Sequence, residues 1–257
     1  MLPHVWADIV LKSCNFCESG KRGLNKTDKT LVIIPAYNEE GSIRDVICRA
    51  KNALPEADVL VVNDASMDNT SEVAKSSGAM VLDLPYNQGI GTTLLTGFLF
   101  SQQRGYRIIV RMDADGQHRP EELEALLRPI LRGEADMVVG SRFLSNVGFQ
   151  STFVRRMGIR FFSTLTSLII RKRITDPTSG FQAMNAKLVK FFANEYPPDY
   201  PEIEAIILAN KAGFIVKEVP AIMLERKKGQ SSINFLMSVY FSLEVFTSII
   251  VSIFRKL

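Results

Sequence analysis

Five short runs of apolar residues alternate with longer stretches of helical character between residues 31 and 140. The runs are residues 31–34, 59–62, 80–84, 108–110 and 137–140. Continuous apolar runs of this length are typical of strands buried on both faces, and helices between such strands return the chain across the sheet. The alternation predicts an α/β fold with a largely parallel central sheet.

The remaining elements follow from capping residues and periodicity. Ser42 is a plausible N-cap for a helix through residue 53, and Pro120 with two glutamates begins another helix. Later residues predict a helix over 153–170, a tight polar loop over 176–182, a helix over 201–211 and short strands at 215–219 and 221–224.

The fourth apolar run leads into Arg-Met-Asp-Ala-Asp-Gly-Gln-His at residues 111–118. Residues two apart on an extended chain point the same way, so Asp113, Asp115 and Gln117 are expected to converge. Two carboxylates and an amide oxygen suit Mg²⁺ or Mn²⁺ rather than zinc, and they leave coordination positions open for substrate phosphates. Asp-x-Asp-Gly is also common turn chemistry, so the pattern alone leaves a polar turn as the alternative.

Polar residues follow several of the predicted strands. In parallel sheets ligands bind beyond the carboxyl ends of strands, and the residues gathered there are Tyr37, Glu39, Asp64, Asn87, Asp113, Asp115 and Arg142. This convergence favours the metal interpretation. Gly89-x-Gly91 resembles part of a dinucleotide loop, but it follows the third strand and residue 94 is leucine, which excludes a Rossmann dehydrogenase. The glycines are expected to allow close approach of the backbone to a ligand or a neighbouring strand.

Charge and cysteine content exclude several classes of protein. The net charge of +4 is too small to argue for a nucleic-acid partner, and the basic residues form two local clusters late in the chain, within residues 155–173 and at 226–228. Three cysteines cannot form a disulfide framework, so a reducing, cytoplasmic environment is predicted. Cys14 and Cys17 with His4 offer at most three zinc ligands, so residues 1–28 are interpreted as an N-terminal extension rather than a zinc site.

Residues 235–254 are nearly all apolar, with Glu244 near the middle. A carboxylate at the centre of a bilayer costs about 2.5–3.5 kcal/mol, and serines recurring near helical spacing give the segment a weakly polar stripe. We expect a helix at the membrane interface, or one packed on a partner membrane helix, rather than a lone span. A buried helix in a soluble core is the alternative.

Six motifs in this order resemble the family 2 inverting glycosyltransferases, and among them the polyprenyl-phosphate sugar transferases typified by dolichol-phosphate mannosyltransferase. The similarity covers about residues 30–232. The motifs are Pro35-Ala36-Tyr37-Asn38-Glu39, Asn63-Asp64-Ala65-Ser66-x-Asp68-x-Thr70, Asn87-x-Gly89-x-Gly91, Asp113-Ala114-Asp115-Gly116-Gln117-His118, Gly140-Ser141-Arg142 and Asp176-Pro177-Thr178-Ser179-Gly180-Phe181.

The resemblance implies a GT-A fold for a transferase domain (29–232). It leaves an N-terminal extension (1–28) before the domain and the apolar C-terminal helix (233–257), expected to be membrane-associated, after it. It implies roles for individual residues as well. The nucleotide sugar is expected to contact Pro35, Ala36, Tyr37, Glu39, Asp64, Asp113, Ala114 and Arg226. A divalent ion, Mg²⁺ or Mn²⁺, is expected at Asp113, Asp115 and Gln117, and the acceptor phosphate at Arg142, Arg155 and Arg156. Asp115, Arg142 and Glu204 are the expected catalytic residues.

The implied activity is transfer of a hexose from a nucleotide diphosphate sugar, with UDP favoured over GDP, to polyprenyl phosphate. The protein is expected at the cytoplasmic face of the cell membrane, attached peripherally or through its C-terminus. Its expected role is in the synthesis of a cell-envelope polysaccharide, and a homo-oligomer is compatible with that role. Ile159 stands where relatives often place serine, and Ser232 where lysine is frequent.

These departures keep a second acceptor open, a sugar hydroxyl of a glycan or lipid-linked oligosaccharide. Such an acceptor needs a base, for which Glu204, and less so Glu202, is a candidate. A non-catalytic nucleotide-binding scaffold is the second alternative.

Overall fold

The computed structural model describes residues 29–145, 153–197, 201–224 and 246–247. Seven strands form one sheet in the order β3-β2-β1-β4-β6-β5-β7. The strands are β1 (Thr30–Ala36), β2 (Asp58–Asn63), β3 (Met80–Asp83), β4 (Ile108–Arg111), β5 (Met137–Ser141), β6 (Gln182–Asn185) and β7 (Val216–Pro220). Neighbouring strands are parallel except at β6, which runs antiparallel to both β4 and β5. The prediction of an α/β fold with a largely parallel sheet is confirmed.

The directions of the strands decide where the loops meet. β1 pairs in parallel with β2 and with β4, and β5 runs in the same direction as β4 because both are antiparallel to β6. The carboxyl ends of the parallel strands therefore lie at one edge of the sheet. Since β6 runs the other way, its first residue, Gln182, lies at that same edge. The loop that precedes β6 is thereby brought to the loops that follow β4 and β5.

Helices cover the sheet. They are α1 (Ile43–Ala53), α2 (Thr70–Ser76), α3 (Gly89–Gln103), α4 (Leu123–Leu131), α5 (Phe153–Ile170), α6 (Ala186–Glu195) and α7 (Pro201–Lys211). Alternate residues of β1 belong to two different apolar cores: Leu31 and Ile33 to one, Val32 and Ile34 to the other. Burial on both faces explains why β1 is a continuous apolar run rather than an alternating one.

The structure corrects the sequence interpretation in several places. The predicted strand at 221–224 is wrong, because only Met223 forms an isolated bridge, to His118. Strand β6 and helix α6 were not predicted. Ser42 occupies the N-cap position of α1, but its hydroxyl donates to the Glu39 carboxylate (2.6 Å) and caps no helix N–H. A 3₁₀ turn over Pro120–Glu122 precedes α4, so the helix proper begins at Leu123.

Both predicted terminal segments lie outside the described residues. These are the N-terminal extension with Cys14 and Cys17, and the C-terminal helix over 233–257 apart from residues 246–247. Among the residues that are described, no helix combines the length and apolar character needed to cross a membrane. Cys48 is exposed and unpaired.

Candidate active site

The loops that follow β1 and β2 are joined by reciprocal hydrogen bonds. The Asn38 N–H donates to Ser66 Oγ (2.9 Å), and the Met67 N–H donates back to Asn38 Oδ1 (2.8 Å). The Glu39 N–H donates to Thr70 Oγ1 (2.8 Å). These bonds fix the backbone of both loops and leave the Tyr37 side chain exposed at the edge of the sheet. Pro35 and Ala36, predicted to line the nucleotide, are buried within β1.

Asp64, at the end of β2, binds the loop that follows β3. Its carboxylate accepts hydrogen bonds from the backbone N–H groups of Gln88 (2.7 Å) and Gly89 (2.9 Å). Burial raises the pKa of Asp64 above its ordinary value, although the two amides act to lower it. Gly89 has φ +82° where α3 begins. The glycine-rich loop thus brings its amides close to a carboxylate from the neighbouring strand. The partial positive charge at the N-terminus of α3 favours a carboxylate at this position. Asn87 is exposed beside this contact.

Asp113 lies between two buried nitrogen donors. Its backbone N–H donates to His118 Nδ1 (3.0 Å), so the neutral imidazole carries its proton on Nε2. The carboxylate oxygens lie 3.7 Å from Arg111 Nη2 and 3.7 Å from His118 Nε2. His118 is buried and stacks on Phe181, with ring centroids 5.0 Å apart, and burial lowers its pKa. The Asp113 side chain is 37% exposed, so its carboxylate is oriented from behind and faces outward.

Asp115 and Gln117 are arranged by a turn. The Gln117 N–H donates to Asp115 Oδ1 (3.0 Å), and Gly116 between them has φ +76°. The Gln117 side-chain amide donates to the Leu224 carbonyl (3.3 Å), and the Leu224 N–H donates to the Gln117 carbonyl (2.8 Å). The argument that strand alternation aligns these side chains is wrong, because β4 ends at Arg111. The assignment of Gln117 to the metal stays a prediction, and so does that of Asp113 and Asp115.

The chemistry of the donors fits a hard divalent cation. Within the described ranges, no group of three or more His, Cys, Asp or Glu side chains is placed to hold a metal ion. Asp113 and Asp115 are two carboxylates two residues apart on one loop. A pair of carboxylates is the usual protein contribution to a Mg²⁺ or Mn²⁺ ion that takes further oxygen ligands from substrate phosphates. The residues present therefore fit such an ion.

Arg142 follows β5 and forms a two-point ion pair with Asp176. Nε lies 2.6 Å from Asp176 Oδ2, and Nη2 lies 2.6 Å from Oδ1 and 2.7 Å from Thr178 Oγ1. Both side chains are buried. Glu218 on β7 holds the same loop, since its carboxylate accepts from the backbone N–H groups of Thr175 (2.8 Å) and Asp176 (2.8 Å). Burial raises the pKa of Glu218, with the two amides opposing that shift. Sequence reasoning missed Asp176 as the partner of Arg142 and did not consider Glu218.

Behind Asp113 lies a buried polar group in which sequence reasoning overlooked Arg111 and considered Glu202 only as a candidate base. Arg111 is fully buried at the end of β4 and forms an ion pair through Nη2 with Glu202 of α7. Its Nε and Nη1, and the hydroxyl of Tyr196, have no hydrogen-bond partner in the part of the chain that the structure describes. Burial acts to lower the pKa of Arg111, but Glu202 and Asp113 outweigh it and raise the pKa above its ordinary value. An arginine directly after three apolar strand residues was the available signal.

The other predicted residues fall into three groups. Glu204, the candidate base, is buried on α7. Ala114, which directly follows Asp113 in the same loop, is also buried. Arg156 is half-buried on α5, while Ile159 is buried in the apolar packing of that helix. The side chain of Arg155 and the whole of Arg226 and Ser232 lie outside the described residues.

Comparison with known proteins identifies the family. Residues 31–192 match the family described as Glycosyl transferase family 2. The chain is 33% identical over 215 residues to undecaprenyl-phosphate mannosyltransferase from Micrococcus luteus, covering 80% of this chain and 88% of that protein. It is 32% identical over 218 residues to polyprenol monophosphomannose synthase from Mycolicibacterium smegmatis, covering 81% and 82%.

A solved structure shares the fold. The crystal structure of glucosyl-3-phosphoglycerate synthase from Mycobacterium tuberculosis in complex with Mn²⁺ and UDP-glucose superposes with a TM-score of 0.66 at 19% identity. The match covers 91% of this chain and 84% of that one. By the extent of the family match and the identity to these relatives, the chain belongs to glycosyl transferase family 2 and is a glycosyltransferase.

Proposed function

We propose that this protein transfers a hexosyl group, with inversion, from a nucleotide diphosphate sugar to polyprenyl phosphate at the cytoplasmic face of the membrane. This acceptor is supported by the names of two relatives, undecaprenyl-phosphate mannosyltransferase and polyprenol monophosphomannose synthase. The proposal divides the chain into a GT-A transferase domain over residues 29–232 and a membrane-associated segment over 233–257. UDP is the favoured nucleotide, as in the solved structure that holds UDP-glucose.

The observation that carries the proposal is the contact between an acidic loop and an arginine-bearing loop. Gly180, four residues after Asp176, packs so closely on Asp113 that a Cβ at this position would lie 2.7 Å from Asp113 Oδ2. Asp176 in turn holds Arg142. Carboxylates suited to a metal-bound diphosphate therefore adjoin a guanidinium suited to a phosphate, as transfer between two phosphorylated substrates requires.

On the donor side, Asp113, Asp115 and Gln117 would hold the divalent ion. When bound, such an ion neutralises the charge that develops on the diphosphate as the anomeric carbon–oxygen bond breaks. Arg111 Nη2 and His118 Nε2 each lie 3.7 Å from the Asp113 carboxylate, and the charge of Arg111 attracts that carboxylate before substrate arrives. Arg226, two residues beyond Leu224, follows the segment that hydrogen-bonds to Gln117, which supports its assignment to the nucleotide sugar.

On the acceptor side, a phosphate monoester is already largely ionised at neutral pH, since its second pKa is about 6. It therefore needs orientation rather than a strong base. A phosphate oxygen forms the new bond to the anomeric carbon from the face opposite the departing nucleoside diphosphate, which inverts the configuration. Arg142 would orient the phosphate together with Arg155 and Arg156 of α5, because bidentate arginine matches phosphate geometry.

The test is transfer of label to lipid. Purified protein is incubated with radiolabelled UDP- or GDP-sugars, Mn²⁺ and undecaprenyl phosphate, and the expected result is an organic-extractable product with at least one donor. Asp115→Ala should abolish it, whereas Asp45→Ala, the same change at an exposed site on α1, should not. The absence of product from every donor would count against the proposal. Nucleotide binding that survives Asp115→Ala, without turnover, would favour a scaffold instead.

A further inference from the structure

Helix α5 presents an apolar stripe to solvent. Met157, Phe161 and Leu168 are 58%, 56% and 71% exposed, and their spacing of four and seven residues places them on one side of the helix. The opposite side packs into the protein through Ile159, Phe162, Thr166 and Ile170, which are buried. The helix is therefore apolar on both sides, and its outward side is not explained by packing within the described residues.

The surroundings of this stripe are strongly cationic. Residues 153–175 contain no aspartate or glutamate and six basic residues, which are Arg155, Arg156, Arg160, Arg171, Lys172 and Arg173. This segment carries a charge of +6, whereas the whole chain carries +4. The positive charge of the protein is thus concentrated where the outward apolar stripe lies.

Several of these cations border the stripe directly. Arg160, Arg171 and Arg173 are exposed, and none of their side chains makes a hydrogen bond or ion pair to the described part of the chain. An open cleft of about 430 Å³ at the end of the helix is lined by Leu168, Arg171 and Arg173, together with the hydroxyl-bearing residues Ser163 and Ser167. An apolar stripe edged by unpaired arginines has the composition of a surface that lies on anionic lipid.

The helix is also tied to the proposed acceptor site. Ser167 Oγ accepts from the Ile174 N–H (3.0 Å), and Ser163 Oγ donates to the Ile174 carbonyl (2.5 Å). Two residues later, Asp176 holds Arg142. A lipid phosphate that reaches Arg142 while its chain stays in the bilayer requires a membrane close to this part of the molecule.

We propose that the outward side of α5 (Met157, Phe161 and Leu168, with Arg160, Arg171 and Arg173) docks on an anionic membrane surface. This docking rests on the proposed function, because only transfer to a membrane lipid requires it. Its evidence is the exposure of the apolar side chains and the positive charge around them. The apolar side chains enter the interface, and the arginines contact lipid phosphates. This attachment is separate from any made by residues 233–257.

A local probe tests the docking surface in the full-length chain. Cys14, Cys17 and Cys48 are replaced by serine, and either Leu168→Cys or Phe161→Cys then carries an environment-sensitive fluorophore such as NBD. Vesicles of phosphatidylcholine with about one-third phosphatidylglycerol should shift the emission to the blue and raise it about twofold or more, an effect weakened by high salt. The same label at position 131, an exposed leucine on α4, should not respond.

Three results would overturn the proposal: failure of the protein to sediment with these vesicles, sedimentation without an emission change at 168 and 161, or emission already blue-shifted without lipid. The last would indicate that residues 235–254 or a second copy of the chain cover the stripe.

A transfer assay separates this inference from the proposed function. The double variant Phe161→Ser with Leu168→Ser should lose about tenfold or more in transfer to polyprenyl phosphate embedded in vesicles, and stay within about twofold for a water-soluble, short-chain polyprenyl phosphate. Leu131→Ser is the matched control and should leave both unchanged. Equal activity of the double variant on both acceptors would contradict the docking surface. Failure of the unaltered protein on both acceptors would contradict the proposed function, while the fluorophore result would still decide the docking.

Discussion

Arg142 and Asp176 bind each other along one edge of the guanidinium, and this leaves the other edge directed away from the ion pair. Nε and Nη2 contact the carboxylate at 2.6 Å each, and the Arg142 N–H adds a third bond to Oδ2 (3.1 Å). Nη1 makes no hydrogen bond to any described residue. A guanidinium held in this way is oriented before a phosphate arrives, and its remaining N–H groups suit an anionic oxygen.

Arg142→Lys tests whether this orientation serves the acceptor. Lysine keeps the charge but cannot span both oxygens of Asp176 or present a planar set of donors, so KM for polyprenyl phosphate should rise about tenfold or more. The Kd for the donor nucleotide, measured by calorimetry, should change by less than about twofold. Arg128→Lys, at an exposed ion pair on α4, is the control and should change neither. An equal loss of donor and acceptor binding would mean that Arg142 only supports the fold.

The contact between Gly180 and Asp113 gives a second prediction. In Gly180→Ala the new methyl group must displace the Asp113 carboxylate, because its Cβ would lie 2.7 Å from Oδ2 and 2.8 Å from Oδ1. Displacing a catalytic group by about 1 Å lowers the rate on the order of 100-fold. Moving the end of a partly exposed side chain, in contrast, lowers the free energy of unfolding by less than about 1 kcal/mol. We therefore expect a large fall in kcat/KM with a small change in the free energy of unfolding, measured by denaturant titration.

Gly158→Ala is the matched control. A Cβ at this glycine of α5 meets no atom within 4 Å, so alanine should stabilise the helix by about 0.5–1 kcal/mol and leave turnover unchanged. If both variants were equally active, the position of Asp113 would not matter to the reaction.

Backbone strain at the junction of the first two loops gives a third prediction. Ala65 has φ +57°, a left-handed conformation that costs a residue with a Cβ about 1–2 kcal/mol. Ala65→Gly relieves this strain, but the greater chain entropy of glycine in the unfolded state costs about 0.5–1 kcal/mol. A net stabilisation of up to about 1.5 kcal/mol is therefore expected from thermal unfolding. The same change at Ala50, buried within α1, should instead destabilise by about 1 kcal/mol or more. If Ala65→Gly and Ala50→Gly lowered the free energy of unfolding equally, the backbone at Ala65 would not be strained.

The parts of the fold that sequence could predict are those whose signal is local. Strands β1 to β5 are apolar because both faces of each are covered, and the length of the runs separated them from helices. Strand β6 has only four residues and includes the buried, polar Gln182, and its pairing with β4 joins residues about seventy positions apart. Nothing within those four residues distinguishes them from the loop before them.

The candidate site divides in the same way. Residues at strand ends, such as Asp113 and Arg142, could be placed at one edge by topology alone. Their partners could not, because Asp176 reaches Arg142 only through the antiparallel entry of β6 between β4 and β5. Arg111 and Glu202 are likewise brought together by the packing of α7, which no periodicity encodes. Sequence thus placed the residues at the strand ends better than the buried residues that pair with them.

Glu204 decides between the two acceptors, and Glu202 provides its control. If the acceptor is a phosphate, already ionised near neutral pH, Glu204→Gln should keep transfer to polyprenyl phosphate within about threefold of the unaltered protein. A loss of about 100-fold or more, with label appearing in a glycan, would instead identify Glu204 as the base for a hydroxyl acceptor. Glu202→Gln removes the charge opposite the buried Arg111, so it should lower the free energy of unfolding by about 2–4 kcal/mol. Measuring stability and transfer for both variants therefore separates the two roles. A carboxylate that acts on the acceptor lowers transfer at unchanged stability, whereas one that holds Arg111 behind Asp113 lowers the free energy of unfolding as well.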